Sequence, residues 1–463
     1  MLNYFNFRTF QDQILITNEA GEYSFLSKGD FELLIRDQFN YESEKGIELQ
    51  EKSFIYQGAR QEFFDRYVDV LHRSKAHLLM GTSLHIFVLT TGCNLQCIYC
   101  QAQTGDRSDF GMMSFETAER AVDFALQSPG KYLTFEFQGG EPLLNFSTLR
   151  HLVVYAEENK KDREIQYCLV SNLICLNEEI LQFIKQYQIN VSTSLDGDES
   201  THNYNRPFHH GGDSYQMVVQ QMQYLRDNGI PVGAIQTTSQ NSLKHAQDIV
   251  DAYVKNGLDT IFLRPLTPLG CAAEDWKKIG YTPEQFVDFY KTAFSYIINV
   301  NKSGIRLAEG HASILLSKIL GVSAPNYMEL RSPCGATLGQ IAYYYNGEIY
   351  TCDEGRMLGE MGNDAFHLGN VYEDSMDSVS CSPICKAVMA SSFLESIPEC
   401  CDCVYHPYCG TCPVLNLALE QDIFPKKANN YKCKIYKGIL DILFEYLEEN
   451  DRQVIDIFIS WVC

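Results

Sequence analysis

Three cysteines, Cys93, Cys97 and Cys100, stand in the run Thr91-Gly-Cys-Asn-Leu-Gln-Cys-Ile-Tyr-Cys100, a C-x3-C-x2-C spacing that brings three thiolates into one tight loop. Soft thiolates select iron–sulfur clusters or zinc, and a closed site of either kind takes four ligands. Three cysteines with no fourth close by point to a [4Fe–4S] cluster with one iron left open. An open iron can bind a small molecule, which makes the cluster a reaction site and not only an electron relay. The competing reading is three buried cysteines or part of a zinc site, but the full triplet is far rarer than a lone C-x-x-C pair.

A second group of cysteines closes the chain: Cys334-x12-Gly347-x4-Cys352, then Cys400-x2-Cys403-x5-Cys409-x2-Cys412, then Cys433. Two C-x2-C pairs also fit a zinc ribbon. Most of the other cysteines (Cys168, Cys175, Cys271, Cys381, Cys385, Cys401 and Cys463) read as buried free thiols, with Cys381, Cys385 and Cys401 as alternative ligands near the C-terminal group. Seventeen cysteines in a chain with no export signal favour metal over a disulfide framework.

The elements that must position these residues follow a βα rhythm. Strands are expected at 84–89, 132–137, 165–170, 189–195, 232–237 and 260–263, and helices at 115–126, 147–158, 178–187, 215–227 and 243–255. Asn145 and Asn177 stand at N-cap positions, and Gly229 and Gly257 follow helix ends. Such alternation implies a parallel sheet with right-handed crossovers, either a partial (βα)6 barrel or a doubly wound open sheet. In parallel folds, ligands sit beyond the C-terminal ends of the strands. There stand the cysteine triplet, Gly139-Gly140-Glu141-Pro142, Ser171-Asn172 and Ser194-Leu-Asp196-Gly197, with Arg206 shortly after.

Residues 1–83 precede this rhythm. A hairpin over 14–26 turning at 18–21, a helix capped by Ser27 and a second helix over 61–71 make a small α+β module. A helix is expected over 283–300, and from Pro333 the composition becomes irregular, as of loops held by metal. The expected domains are 1–83, 84–330 and 331–463, the last ending in a helix. No apolar run reaches the ~18 residues of a membrane span. Together with an N-terminus lacking a signal pattern, this predicts a cytoplasmic protein without a membrane partner. A net charge of −22 disfavours nucleic acid as a partner.

The triplet, with Tyr99 just before its third cysteine, resembles the radical S-adenosylmethionine (SAM) superfamily, and Gly139–Pro142 resembles that family's GGEP motif. The resemblance implies a TIM-like partial barrel holding a [4Fe–4S] cluster and SAM. Gly139, Gly140 and Glu141 would meet the SAM amino group, Ser194 and Asp196 its ribose and carboxylate, and Arg206 its carboxylate, with Tyr99, Ser171 and Asn172 also at the cofactor site. The C-terminal cysteines resemble the SPASM domain, which usually binds two auxiliary [4Fe–4S] clusters. By that likeness Cys400, Cys403, Cys409 and Cys433 hold one and Cys334, Cys352 and Cys412 the other, whose fourth ligand stays open; Gln340 stands where no cysteine does.

Short runs, Phe262-Leu-Arg-Pro265 and Tyr350-Thr-Cys-Asp-Glu-Gly-Arg-Met357 among them, are similar to the His-Xaa-Ser system radical SAM maturases. These imply a ribosomally made precursor peptide as substrate, a leader-peptide grip in residues 1–83 and a low-potential electron donor. Asp353, directly after Cys352, is the candidate catalytic base, the alternative being that Asp353 and Glu354 cap a turn or pair with Arg356. The alternatives are an anaerobic sulfatase-maturing enzyme oxidising Cys or Ser to formylglycine, an RNA- or small-molecule-modifying radical SAM enzyme, and a non-enzymatic iron–sulfur or zinc protein. The 83 residues before the triplet count against the first of these.

Overall fold

The structure is a computed structural model that describes residues 1–56, 58, 60–102, 110–322 and 327–463. An N-terminal antiparallel sheet has the order β1 (Asn6–Phe10), β2 (Gln13–Thr17), β3 (Tyr23–Ser27). Alternation along β2 gives it two faces. Ile14 and Ile16 join a small core with Leu26, Phe31, Leu34, Leu49 and Phe54, while Leu15 joins the main core of the molecule. Ser27 caps the helix Lys28–Ile35 through its hydroxyl, and Gly21 takes the positive φ of 85° that the turn between β2 and β3 needs. The strand β1 and the helix Glu44–Glu51 lay outside the sequence expectation.

The main sheet is built on six parallel strands: β4 (Leu84–Val88), β5 (Tyr132–Gln138), β6 (Glu164–Val170), β7 (Asn190–Ser194), β8 (Val232–Thr237) and β9 (Thr260–Arg264). Every expected barrel strand is present within about two residues. The interleaved helices follow suit, from Phe115–Ala125 to Ala246–Lys255. Asn177 caps its helix, whereas Asn145 does not: its amide instead donates to the carbonyls of Leu89 and Met113, bracing the end of β4.

In β5, Leu133, Phe135 and Phe137 pack in the main core with Phe124, Leu149 and Val153 of the flanking helices. Thr134, Glu136 and Gln138 face the opposite way onto a cavity of about 810 Å³. Leu84 and Ile86 of β4, Ser192 and Ser194 of β7, and Ile235 and Thr237 of β8 line the same cavity. The sheet therefore curls around this space as a partial barrel, with an open inner face that mixes polar side chains with Leu84, Ile86, Val170 and Ile235.

The sheet continues to ten strands. The short β10 (Ala308–Glu309) extends it beyond β9. On the other side β11 (Gln340–Tyr343) runs parallel to β4, pairing Gln340 with Leu84, and is followed by antiparallel β12 (Glu348–Tyr350) and β13 (His367–Asn370). The expectation of metal-held loops after Pro333 is thus corrected: part of this segment is sheet, welded to the barrel edge. Helices Asp353–Glu360, Pro383–Ser392, Pro413–Glu420, Tyr431–Glu449 and Arg452–Val462 make up much of the rest. Among the described residues, no helix is long and apolar enough to cross a membrane.

Candidate active site

The loop after β4 that carries Cys93, Cys97 and Cys100 has no strand of its own, so its shape depends on what grips it. One grip comes from residues 205–210. Gln96 donates its backbone N–H to the Pro207 carbonyl at 2.8 Å and Ile98 to that of Asn205 at 3.0 Å, while His209 Nε2 lies 3.3 Å from the Cys93 carbonyl oxygen. This zipper was invisible in the sequence, where His209-His210 reads as an ordinary loop.

The second grip is the Gly139–Pro142 turn. The Gly140 N–H donates to the Thr90 carbonyl and the Glu141 N–H to that of Gly92, both at 2.8 Å. The approach is too close for a side chain. A Cβ on Gly139, whose φ is 148°, would lie 2.3 Å from the Thr90 oxygen, and one on Gly140 2.2 Å from the Gly92 oxygen. Gly140→Ala must therefore push the cysteine loop away. We expect a loss of about 1–3 kcal/mol of stability and a fall in iron bound at the triplet. Calorimetry with iron analysis of reconstituted protein reads both, and native values for both would show that the loop gives way freely.

Glu141 is fully buried and off the cavity wall. Its carboxylate accepts from the Leu143 N–H at 3.0 Å, the Ser171 hydroxyl at 2.8 Å and the Asn172 N–H at 2.8 Å, and so ties the end of β6 to the end of β5. Burial raises its pKa to about 7 against the lowering effect of these hydrogen bonds. Gly139, Gly140, Ser171, Asn172, Ser194, Tyr99 and Arg206 do line the cavity, together with Cys93, Cys97 and Cys100.

Asp196 lies behind this wall with no exposure. It accepts from the Tyr99 hydroxyl, from Asn205 Nδ2 at 3.1 Å and from the Thr237 N–H at 3.2 Å. Arg206 Nε stands 3.2 Å from Asp196, an ion-pair distance off the hydrogen-bond angle. Its guanidinium sits 5.3 Å over the Tyr99 ring, and Nη1 lies 3.9 Å from Cys97 Sγ. Tyr99, Asp196 and Arg206 thus form one buried unit against the cysteine loop.

Burial pushes the Cys93 thiol up and the Cys97 thiol to about 12, the latter opposed by the Arg206 charge. Without metal both are neutral thiols; coordination supplies the positive charge that deprotonates them. Among the described residues, no three cysteine sulfurs lie within 4.8 Å of one another. The three soft thiolates of one loop are the donor set that a [4Fe–4S] cluster with one open iron takes.

Cys334, Cys352 and Cys412 converge in one small core around Leu269, Leu358 and Val414. Two of them hold helix N-termini: Cys352 Sγ accepts from the Gly355 N–H at 3.3 Å and Cys412 Sγ from the Leu415 N–H at 3.5 Å. Peptide dipoles there favour the thiolate. The charge of Glu354 bears on all three thiols. Cys400, Cys403, Cys409 and Cys433 form a separate set whose charges act on one another. Gln340 is on the cavity wall, and Cys385 is buried elsewhere, donating to the Val379 carbonyl.

Asp353 is on the cavity wall, and its Oδ1 accepts from Arg356 Nε at 3.1 Å and Nη2 at 2.6 Å. The far end of the cavity holds charges that the sequence reading passed over. Arg264 lies 3.0 Å from Glu329, and Lys432, almost wholly buried, 3.4 Å from the same carboxylate. Arg264, at the end of β9, was legible as a strand-end cation; Glu329 and Lys432 come from distant segments with no shared pattern.

Residues 87–251 match the Radical SAM superfamily. An uncharacterized protein of Methanocaldococcus jannaschii is 33% identical over 183 residues, 40% of this chain and 62% of its own length, so the chain spans less than two thirds of that relative. A cysteine-type anaerobic sulfatase-maturating enzyme of Clostridium perfringens is 26% identical over 79% of this chain and 97% of its own. In fold, Streptococcus suis SuiB, crystallised with the precursor peptide SuiA, superposes with a TM-score of 0.56 at 16% identity, covering 92% of this chain and 97% of that one.

Proposed function

Because the chain carries a radical SAM domain and is an enzyme of that superfamily, we propose that it modifies residues of a ribosomally made peptide by hydrogen-atom abstraction. The observation that carries this reading is the single cavity that joins the cysteine triplet to Asp353 and Cys412 across the open inner face of the barrel. A [4Fe–4S] cluster and SAM, when bound, supply a 5′-deoxyadenosyl radical able to take hydrogen from unactivated carbon. Cys93, Cys97 and Cys100 would hold the cluster, while Gly139, Gly140, Ser171, Asn172, Ser194 and Arg206 orient SAM, with Glu141 and Asp196 fixing those residues from behind.

Two neighbours favour a peptide as substrate: the sulfatase-maturating enzyme, by name, acts on a protein, and SuiB binds a precursor peptide. The SuiB likeness covers more of this chain than residues 84–463 alone account for, so it reaches into the N-terminal module. There β1 pairs on one side only, and Phe7 on it is 54% exposed. An extended leader could add a strand to that edge, as in β-augmentation. Anaerobic co-expression with any short open reading frame found next to the gene, followed by mass spectrometry, should show loss of two hydrogens or deuterium uptake on its peptide. An unmodified peptide, with formylglycine appearing instead on a sulfatase-type Cys or Ser peptide, would select the second reading that the Clostridium likeness supports.

Asp353, on the cavity wall, would act as the base that takes a proton from the substrate; Cys334, Cys352 and Cys412 would hold a cluster able to supply one-electron chemistry beside it. Asp353→Asn keeps the shape and leaves Arg356 its other partner, Glu360, at 3.1 Å. The expected variant forms 5′-deoxyadenosine but little modified peptide. Unchanged product yield with full iron content would reduce Asp353 to a tether for Arg356.

A further inference from the structure

The segment 400–409 contains no regular structure beyond the single turn His406–Tyr408, and besides its internal turn hydrogen bonds three of its carbonyls, those of Cys401, Cys403 and Val404, accept from the N-terminal sheet. Asn6 on β1, only 6% exposed, donates from Nδ2 to the carbonyl oxygens of Cys401 at 3.0 Å and Cys403 at 3.1 Å. Thr17 at the end of β2, fully buried, donates its hydroxyl to the Val404 carbonyl at 2.6 Å. The Tyr408 hydroxyl donates in return to the Gly21 carbonyl at 2.9 Å. Arg8 of β1 pairs with Asp441 at 3.0 Å, and the Phe10 and Tyr405 rings both pack against Phe444. β1, β2 and the turn between β2 and β3 thus bind one stretch of chain, the stretch that presents Cys400, Cys403 and Cys409.

We propose that the N-terminal sheet forms one wall of the Cys400/Cys403/Cys409/Cys433 site, and that Asn6 is a positioning residue that sets the geometry of Cys400 and Cys403 toward their cluster. This rests on the reading of those four cysteines as ligands. Without Asn6 the Cys403 carbonyl keeps the His406 N–H at 2.8 Å and the Cys401 carbonyl the Tyr4 hydroxyl at 3.4 Å, but the loop loses the one side chain that ties the two carbonyls together, and a buried polar group placed there without its partners costs about 1–3 kcal/mol. Partners just outside a metal's ligands also shift its affinity and potential. Removing residues 1–83 would accordingly disturb an auxiliary cluster as well as any leader grip, so substitution at the exposed β1 edge is the cleaner probe of leader binding.

The inference is tested in the full chain carrying Cys93→Ala, Cys97→Ala and Cys100→Ala, so that only auxiliary clusters contribute. Asn6→Asp replaces the donor with a charge facing two carbonyls, and Asn6→Gln keeps an amide. After reconstitution, Asn6→Asp should lose up to about half of the iron, or shift the midpoint potential of one of two auxiliary EPR signals, with Asn6→Gln partly restoring it. Thr17→Val removes one hydroxyl at constant shape and should shift the same signal if Asn6→Asp fails to fold. Unchanged iron and spectra in Asn6→Asp and Thr17→Val overturn the inference. A triple-alanine parent that takes up no cluster at all overturns the ligand reading itself, and this inference with it.

Discussion

Alanine in place of Cys93, Cys97 or Cys100 abolishes 5′-deoxyadenosine formation, each single variant falling to the level of reductant and SAM without protein. The expectation follows from one loop offering three thiolates and no nearby spare that could substitute without remodelling. Two neighbouring cysteines serve as internal controls. Cys175 accepts from Asn94 Nδ2 at 3.4 Å, and Cys271 donates its backbone N–H to the Cys100 carbonyl at 2.9 Å, yet neither belongs to the triplet. Alanine at either should leave nucleoside formation in place. The triple variant should stay brown with less iron, because the C-terminal cysteines are untouched. Chromatography of anaerobic reactions with dithionite reads the outcome, and 5′-deoxyadenosine from the triple variant would overturn the assignment of the triplet.

The second large effect is expected at Arg206. Its guanidinium is 12% exposed, over Tyr99 and against Asp196, which has no exposure at all. Removing one partner of such a pair strands the other charge in the interior, at a cost of about 3–5 kcal/mol. Arg206→Ala should therefore lower stability by that amount in denaturant titrations. It should also weaken SAM binding, since a hydrogen bond to a charged group contributes about 1.5–3 kcal/mol, or roughly ten- to a hundredfold in affinity. Arg206→Lys keeps a charge but loses the planar fork, so it should recover stability more than affinity. Native SAM affinity in Arg206→Ala would assign the residue to structure alone.

The βα rhythm was legible because its signals are local: apolar periodicity, Asn177 as a working cap, and Gly229 and Gly257 with positive φ after their helices. The cysteine triplet and the Gly139–Pro142 turn were legible because ligand spacing and close backbone approach need particular residues in sequence. What stayed hidden is non-local. Strands β11 to β13 are only three or four residues long and take their identity from the edge of β4, not from any pattern of their own. Asn145 looks like a cap and works as a brace because two carbonyls from other segments reach its amide first. Asn6 sits in an unremarkable run, and only the fold reveals that its partners are nearly four hundred residues away.

Hydrogen transfer from peptide to nucleoside puts the proposed activity to the question most directly. Reconstituted protein is incubated without oxygen with SAM, dithionite and the peptide modified in the co-expression, deuterated at carbon, and the 5′-deoxyadenosine is weighed by mass spectrometry. Peptide modification by hydrogen abstraction predicts 5′-deoxyadenosine carrying one deuterium, formed in step with modified peptide. Unlabelled 5′-deoxyadenosine accompanied by unaltered peptide would contradict it.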